Sequence, residues 1–315
     1  MTLAARLAAH GEPLRIEDVE LPAPGEGEVA VELAFAGINP IDRYGIEGRV
    51  AADGPLPRTL GAEASGHVEG RPVVVFGTGL GSARDGVWAE RAVVPRSTVV
   101  PAPAGTDLRA AGAMGIVGLT AWNVVHLAGV GPGDRVLVLG AGGGVGLPVV
   151  SLGASLGATV CGQTGTGAKA EAIRAQGAQH VVVTGEDGLA DAVRDFGPTV
   201  VIDPLGNGFT PAALSVISAA GRYVLLGTSA GTTATVQLQQ LYRNGTRVLG
   251  YAGLLLTDDQ RRSGLAAALA ALADGRLRIV VGRTFPLTEA NAAVDASRDR
   301  SITGKVMLDL RASHA

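Results

Sequence analysis

The residues Leu139-Gly140-Ala141-Gly142-Gly143-Gly144-Val145-Gly146 stand between a run of strand length, Arg135-Val-Leu-Val-Leu139, and a segment of helix length, Gly144 to Gly157. A dinucleotide fingerprint requires that context. The turn needs positive φ, the backbone must approach a pyrophosphate with no Cβ in the way, and N–H groups at the helix start must face the anion. The strict G-x-G-x-x-G does not fit. Ala141-x-Gly143-x-x-Gly146 does, with alanine in the first place. A purely structural glycine turn is the competing reading, and the pattern on either side argues against it.

Downstream, Ala158-Thr-Val-Cys161, His180-Val-Val-Val183, Thr199-Val-Val-Ile202, Arg222-Tyr-Val-Leu-Leu226 and Arg247-Val-Leu-Gly250 read as strands. Ala168 to Gln176, Gly188 to Phe196 and Pro211 to Ala220 read as the helices between them. Strict alternation implies an α/β fold whose parallel sheet is covered on both faces, and six strands in two halves give the doubly wound Rossmann arrangement. Upstream, the first hundred residues read as β-rich, with strands at Val29 to Leu33, Val73 to Phe76 and Trp88 to Val94. Helical stretches follow at Leu108 to Met114 and Gly118 to Ala128. The C-terminal part carries a helix from Asp258 to Asp274, a strand from Val280 to Thr284, a helix from Thr288 to Ser297 and a strand from Lys305 to Leu310. It is too small for a separate domain and is expected to join the first hundred residues. The expected division is a dinucleotide-binding domain at 112–251 inserted in a domain made of 1–111 plus 252–315.

Composition removes several classes. The chain has 315 residues, 47% of them apolar and 17% charged, which excludes a disordered chain. Glycine accounts for 47 residues without a Gly-X-Y period, so collagen is out. A net charge of −3 and a pI near 6.0 argue against nucleic acid as the main partner. The single cysteine, Cys161, rules out a disulfide framework and a Cys-rich zinc site, and suits a reducing cytoplasm. Met1 to Ala9 lacks the order of a signal peptide. Val136 to Ala168 is uncharged but broken by glycines and Pro148, so no membrane association is expected. Of 26 basic residues only Lys169 and Lys305 are lysines.

The end of the second strand of the alternating region sets the cofactor. An NAD site usually places an acid there for the ribose 2′-OH. Here Gln163-Thr164-Gly165-Thr166-Gly167-Ala168-Lys169 follows Gly162, offering hydroxyls and a lysine but no acid. A 2′-phosphate needs such donors, so NADPH is expected. A lysine early in a helix gains nothing from the helix dipole, which weighs against a merely solvated Lys169. The same segment is a poor P-loop, because no Ser or Thr follows the lysine.

With these motifs the chain resembles the medium-chain dehydrogenase/reductases, in the zinc-free quinone oxidoreductase (zeta-crystallin-like) branch. The residues that carry the likeness are Gly37-Ile38-Asn39-Pro40-Ile41-Asp42-Arg43-Tyr44, Leu60-Gly61-Ala62-Glu63-Ala64-Ser65-Gly66, Gly118-Leu119-Thr120-Ala121-Trp122, the glycine loop, Gly227-Thr228-Ser229-Ala230-Gly231 and Thr303-Gly304-Lys305-Val306. The resemblance implies a β-rich, GroES-like catalytic domain around the Rossmann domain, and a homodimer. Zinc-bearing cousins carry Cys in the Asn39 place and His in the Ala62 place, so a metal-free enzyme is implied. Without a Lewis acid the fitting acceptor is already electrophilic, a quinone or an α,β-unsaturated carbonyl. The resemblance puts Asn39 and Tyr44 beside nicotinamide and substrate in a cleft between the lobes, and Thr120 on the nicotinamide side. It puts Gly143, Gly144, Val145 and Gly146 at the pyrophosphate, Lys169 at the 2′-phosphate, and Leu226 and Gly227 at the nicotinamide end; the fingerprint itself adds Ala141, and the hydroxyls after the second strand add Thr164, as cofactor-binding candidates. Two places depart from the family: Thr184 stands where a tyrosine is frequent, and Glu47-Gly48-Arg49-Val50 replaces a second tyrosine after Tyr44.

Bland readings stand beside these. Tyr44 is either a general acid or a pocket wall. Asn39 orients the acceptor, caps the helix opening at Pro40, or does both. Asp42 reads as structural, and Glu63 has no assigned role. The loop Gly77 to Asp85 is expected to border the site's mouth. Gly227-Thr228-Ser229-Ala230-Gly231 fits G-x-S-x-G, but a nucleophile elbow must lead into a helix, Thr232 to Thr235 is poor helix sequence, and the one downstream histidine is His314. An enoyl reductase or cyclase on the same fold and a non-catalytic NADPH-binding protein remain as alternatives.

Overall fold

Short runs of β-branched and other apolar residues, punctuated by Gly and Pro, form strands at both ends of the chain. The computed structural model describes residues 1–51, 53–77 and 79–311. The chain divides into two compact units, one of Met1–Leu119, Leu256–Gly275 and Ile279 onward, the other of Thr120–Leu255 and Arg276–Arg278. The first unit opens with β1 (Thr2–Leu7), β2 (Arg15–Val19), β3 (Glu28–Gly37), α1 (Pro40–Ile46), β4 (Arg58–Thr59), β5 (Glu63–Val68), β6 (Arg71–Phe76), β7 (Arg91–Pro95), β8 (Val99–Pro101) and α2 (Leu108–Ala111). A π-helical turn, Met114–Gly118, follows. The second unit follows, with α3 (Leu119–Leu127) at its start and then β9 (Arg135–Val138), α4 (Gly146–Ser155), β10 (Thr159–Thr164), α5 (Ala170–Ala175), β11 (His180–Val183), α6 (Glu186–Val193), β12 (Val200–Asp203), α7 (Phe209–Leu214), β13 (Arg222–Leu225), α8 (Leu238–Asn244) and β14 (Arg247–Gly250). The chain then returns to the first unit with α9 (Asp258–Ala273), β15 (Val281–Pro286), α10 (Ala290–Ala296) and β16 (Lys305–Asp309).

In the second unit the sheet order is β11-β10-β9-β12-β13-β14, parallel throughout. In sequence order that is 3-2-1-4-5-6, the doubly wound Rossmann order, with the reversal at β9 and β12. Its strands read as unbroken apolar runs because helices cover both faces. Leu137, Cys161, Val201 and Tyr223 are accordingly all buried.

In the first unit, β16 from the far end of the chain pairs antiparallel with β3, Leu308 opposite Ala36. The sheet runs β15-β16-β3-β5-β6-β8, with β7 also on β3, and β2-β1-β4 forms a separate small sheet. This is the β-rich, GroES-like part of the fold. Val31, Leu33, Val75, Trp88, Phe285 and Leu308 share its core, each worth about 1.5–3 kcal/mol if fully buried. Gly61, at φ +99°, is the seat for Trp88, whose ring a Cβ there would overlap.

The structure refines several expected boundaries. The strand expected from Trp88 to Val94 begins at Arg91, because Gly86, Val87 and Trp88 spend their N–H groups on Thr59, Gly61 and Leu60 carbonyls. The helix expected from Leu108 to Met114 stops at Ala111, and the π-turn takes its place. Among the described residues no helix is long and apolar enough to cross a membrane.

Candidate functional site

The glycine loop is a device of the second unit's backbone. Gly140 takes φ +59° and turns the chain out of β9. Gly146 opens α4 in contact with that turn: a Cβ there would stand 2.5 Å from the Gly140 carbonyl and 2.6 Å from Ala141 Cα. A glycine is thus required for the helix start to close on the strand end. Among the described residues, no backbone carbonyl outside the regular elements takes the N–H groups of Gly144 or Val145. Both residues are partly exposed, as is Gly143. Donors of this kind at a helix start suit an anion.

Two side chains fix the loop. The Gly140 N–H donates to Gln163 Oε1 at 2.9 Å, and Gln163 Nε2 donates to the Thr184 carbonyl at 2.6 Å. The fully buried Gln163 therefore ties the loop to the end of β11. Gln163 has no role legible in the sequence; its one signal is a long amide at the penultimate position of a strand that is otherwise apolar or small. Lys169 lies across the loop, with a Cβ on Gly142 only 2.6 Å from its Cδ, and is 8% exposed. Thr164 turns inward, its hydroxyl donating to the Thr166 carbonyl at 3.2 Å. Leu226 and Gly227 follow β13 at the carboxyl end of the sheet, and the Leu226 N–H donates to the Asp203 carbonyl at 2.9 Å. Thr120 sits in the first turn of α3, partly buried.

In the first unit the structure gathers residues from three distant segments into a buried polar cluster. Asn39 is 1% exposed and Glu63 is fully buried. Asn39 Nδ2 donates to Glu63 Oε1 at 2.7 Å, and the Asn39 N–H donates to Asp42 Oδ2 at 2.8 Å. Lys305 Nζ donates to Asn39 Oδ1 at 2.7 Å and to the Ile38 carbonyl at 2.6 Å. The other oxygen of Glu63 accepts from the Ile116 N–H, inside the π-turn, at 2.7 Å. Asn39 is the N-cap of α1, but its side chain is spent on Glu63 and Lys305.

Burial governs the charges of this cluster. It pushes the Asp42 carboxyl up to about 7, against the lowering effect of the Asn39 N–H. It pushes Glu63 up in the same way, against the Lys305 ammonium. It pulls Lys305 down, against Glu63 and Asp42. Glu63 and Lys305 are the members that sequence reasoning left without a role. Lys305 carried a faint signal, as one of two lysines in an arginine-rich chain.

Tyr44, near the end of α1, is partly exposed. The Arg49 guanidinium stacks 4.3 Å from the centre of its ring. Arg49 is held by Glu47 at 3.2 Å, and Glu47 by Arg298 at 2.9 Å. Tyr44 thus keeps an aromatic face on a cation where the family usually has a second tyrosine. At the G-x-S-x-G match no helix follows Gly231 before Leu238, and Ser229 Oγ donates to the Pro204 carbonyl at 3.1 Å. The strand-to-helix elbow is absent there. His314, and Thr78 in the loop 77–85, lie outside the described residues.

The residues in the Asn39 and Ala62 places bring neither thiolate nor imidazole. The nearby carboxyls already face an ammonium, so this donor set does not fit zinc. Among the described residues no group of three or more His, Cys, Asp or Glu side chains is placed to hold a metal ion.

A family model described as "Zinc-binding dehydrogenase" matches residues 176–308. The chain is 30% identical over 303 residues to a quinone oxidoreductase of Sus scrofa, covering 92% of each. The structure resembles that of the quinone oxidoreductase from Thermus thermophilus, reported with its NADPH complex, at a TM-score of 0.86 and 29% identity, covering 98% of this chain and all of that one. It also resembles a cobalt- and zinc-bound alcohol dehydrogenase from Pyrobaculum aerophilum at a TM-score of 0.85 and 30% identity, covering 98% and 99%. With the Rossmann strand order, the GroES-like sheet and these full-length matches together, the chain belongs to the quinone oxidoreductase branch of the medium-chain dehydrogenase/reductase superfamily and is an oxidoreductase.

Proposed function

We propose that the protein is an NADPH-dependent reductase that delivers hydride, without a metal, to a quinone or an α,β-unsaturated carbonyl. The observation that carries this reading is Lys169 laid across Gly142 at the end of a strand with no acid. NADPH, when bound, supplies the hydride. The Gly144 and Val145 N–H groups hold its pyrophosphate, with Ala141, Gly143 and Gly146 keeping side chains out of the way. Lys169 neutralises the 2′-phosphate, assisted by the Thr164 to Thr166 turn. Leu226, Gly227 and Thr120 serve the nicotinamide end.

On the acceptor side we assign Tyr44 the proton. Its hydroxyl has no hydrogen-bond partner among the described residues, so it is free to donate to the oxygen of a reduced acceptor. The Asn39 carboxamide is saturated by protein partners, and its part is to hold the start of α1 rather than to bind the acceptor. An electrophilic acceptor needs no Lewis acid, in keeping with a donor set that does not fit zinc. The relatives named quinone oxidoreductase favour a quinone. We also place the protein in the cytoplasm, as a homodimer. What supports the dimer is that β14 is an edge strand, and Val248 on it is exposed together with Leu238, Tyr242, Leu254 and Leu255.

The test is oxidation of NADPH and NADH by the purified protein against benzoquinones, naphthoquinones and linear and cyclic enones. Turnover with NADPH and quinones supports the reading. Turnover with enones alone moves it to an enoyl reductase, and binding without oxidation moves it to a non-catalytic NADPH protein. In the same assay Lys169→Ala should weaken NADPH by about tenfold or more while sparing NADH; an equal loss for both overturns the role of Lys169.

A further inference from the structure

Lys305 is a buried cation that hydride transfer does not require. It is 5% exposed, on the last strand of the first unit. Burying an ammonium costs several kcal/mol before its partners compensate, and a methionine would fill the same space without that cost. What Lys305 holds is specific. Two of its three N–H donors go to consecutive residues at the corner between β3 and α1, the Ile38 carbonyl and Asn39 Oδ1. Asn39 passes the constraint to Glu63, and Glu63 passes it to the Ile116 N–H in the π-turn. The arrangement is closely fitted: a Cβ on Gly37 would stand 2.5 Å from Glu63 Oε1. Asp42, one turn into α1, holds the same corner from inside the helix through the Asn39 N–H. Arg43 on the same helix adds a positive charge that works against Lys305.

We propose that Lys305 is a positioning residue of the oxidoreductase: its ammonium takes the place among Asn39, Asp42 and Glu63 that a metal cation would need, and locks the corner from which α1 presents Tyr44. The role in turnover rests on the reading above. Two consequences are independent of it. The wild-type cluster takes up no divalent cation, because its positive charge is built in. Removal of the side chain leaves a slot lined by oxygen acceptors that a primary ammonium of matching length refills.

The experiment uses the full chain as wild type, Lys305→Ala, Lys305→Met and Lys305→Arg. Each is assayed for NADPH-dependent quinone turnover, NADPH affinity by fluorescence, and Tm, with n-propylammonium or tetramethylammonium added. Lys305→Ala and Lys305→Met should lose about tenfold to a hundredfold in kcat, the scale of a small misplacement near the chemistry. The KM and Kd for NADPH should stay within threefold, and Lys305→Arg should recover part of the loss. Propylammonium, which replaces the atoms removed, should raise both the rate and the Tm of Lys305→Ala. Tetramethylammonium, which has no N–H, should do neither. Equilibrium dialysis with zinc should show no uptake by wild type, and uptake by this cluster in wild type would overturn the proposal. A Lys305→Met enzyme as fast as wild type overturns the proposal, and so does a Tm of Lys305→Ala that ignores propylammonium. An inactive wild type would count against the proposed reaction instead, with Tm and zinc uptake still deciding the place of the ammonium.

Discussion

The glycine loop and the polar cluster solve opposite problems. At Gly140 to Gly146 the second unit removes side chains, and on the reading proposed above the bared backbone N–H groups hold the cofactor's pyrophosphate. At Asn39, Asp42, Glu63 and Lys305 the first unit fills its interior with charge and amide, and each group is held by the others. The loop is local, a single short stretch whose spacing is its function. The cluster is assembled from residues up to 266 positions apart. A surface made of backbone tolerates change in the charges around it. A closed set of buried charges does not, because removing one leaves the others without compensation.

The sharpest way to break that contrast is Lys305→Ala. It should cost about 3–5 kcal/mol, the penalty for leaving a buried charge unpaired, read as a lower denaturation midpoint. Lys169→Ala, in the glycine loop, should change stability far less. Equal losses would mean that the two lysines do the same kind of work.

Next in size is the pH dependence carried by Asp42. Its pKa in the folded protein is raised from 3.8 to about 7. The stability this group contributes is therefore fully present below pH 4 and lost as pH rises toward 7. The full difference is on the order of 3–4 kcal/mol for a group this buried. Asp42→Asn keeps an acceptor for the Asn39 N–H and should flatten Tm between pH 4 and 7. A slope unchanged by the substitution would place the titration elsewhere.

Two smaller effects probe the loop. Gly146→Ala forces a Cβ against the Gly140 carbonyl and Ala141 Cα and should cost about 1–3 kcal/mol, with a parallel loss of NADPH affinity in titration. Gln163→Leu leaves the Gly140 N–H and the Thr184 carbonyl without their partner and should cost about 1–2 kcal/mol. If Gln163→Leu left NADPH affinity untouched, the loop would hold its shape without the tie to β11.

The same contrast explains what the sequence disclosed. His180 to Val183 and Arg247 to Gly250 are strands with the expected ends although both lie at the edges of the sheet and are half exposed, because short β-branched and apolar runs between turn residues mark a strand even there. Thr2-Leu-Ala-Ala-Arg-Leu7 gave no such sign: its Ala, Leu and Arg favour helix, and pairing with Arg15–Val19 and Arg58–Thr59 overrides that preference. The loop was legible for the same reason as the strands, since short spacing encodes it. Asn39 drew attention as a cap before Pro40, but nothing local to residue 39 points to residues 63 and 305. Glu63 stayed unassigned because its partners are a backbone N–H 53 residues away and an amide 24 residues away. Its role exists only once three strands have met.

The pairing of β3 with β16 also sets an order of events during synthesis. Lys305 is joined to the chain 267 residues after Ile38, whose carbonyl it caps. At ~5–20 residues per second, that is a wait of roughly 13–50 s. Until it ends, Asp42 and Glu63 lack the Lys305 ammonium and the Phe35–Gly37 end of β3 lacks the partner it finds in β16. The six strands of the second unit are all made within that interval, each pairing with others from its own stretch of chain. The sheet of the second unit is thus able to close while the polar cluster is still hydrated, and the ribosome delivers the counter-charge of the first unit only after that sheet's strands are made.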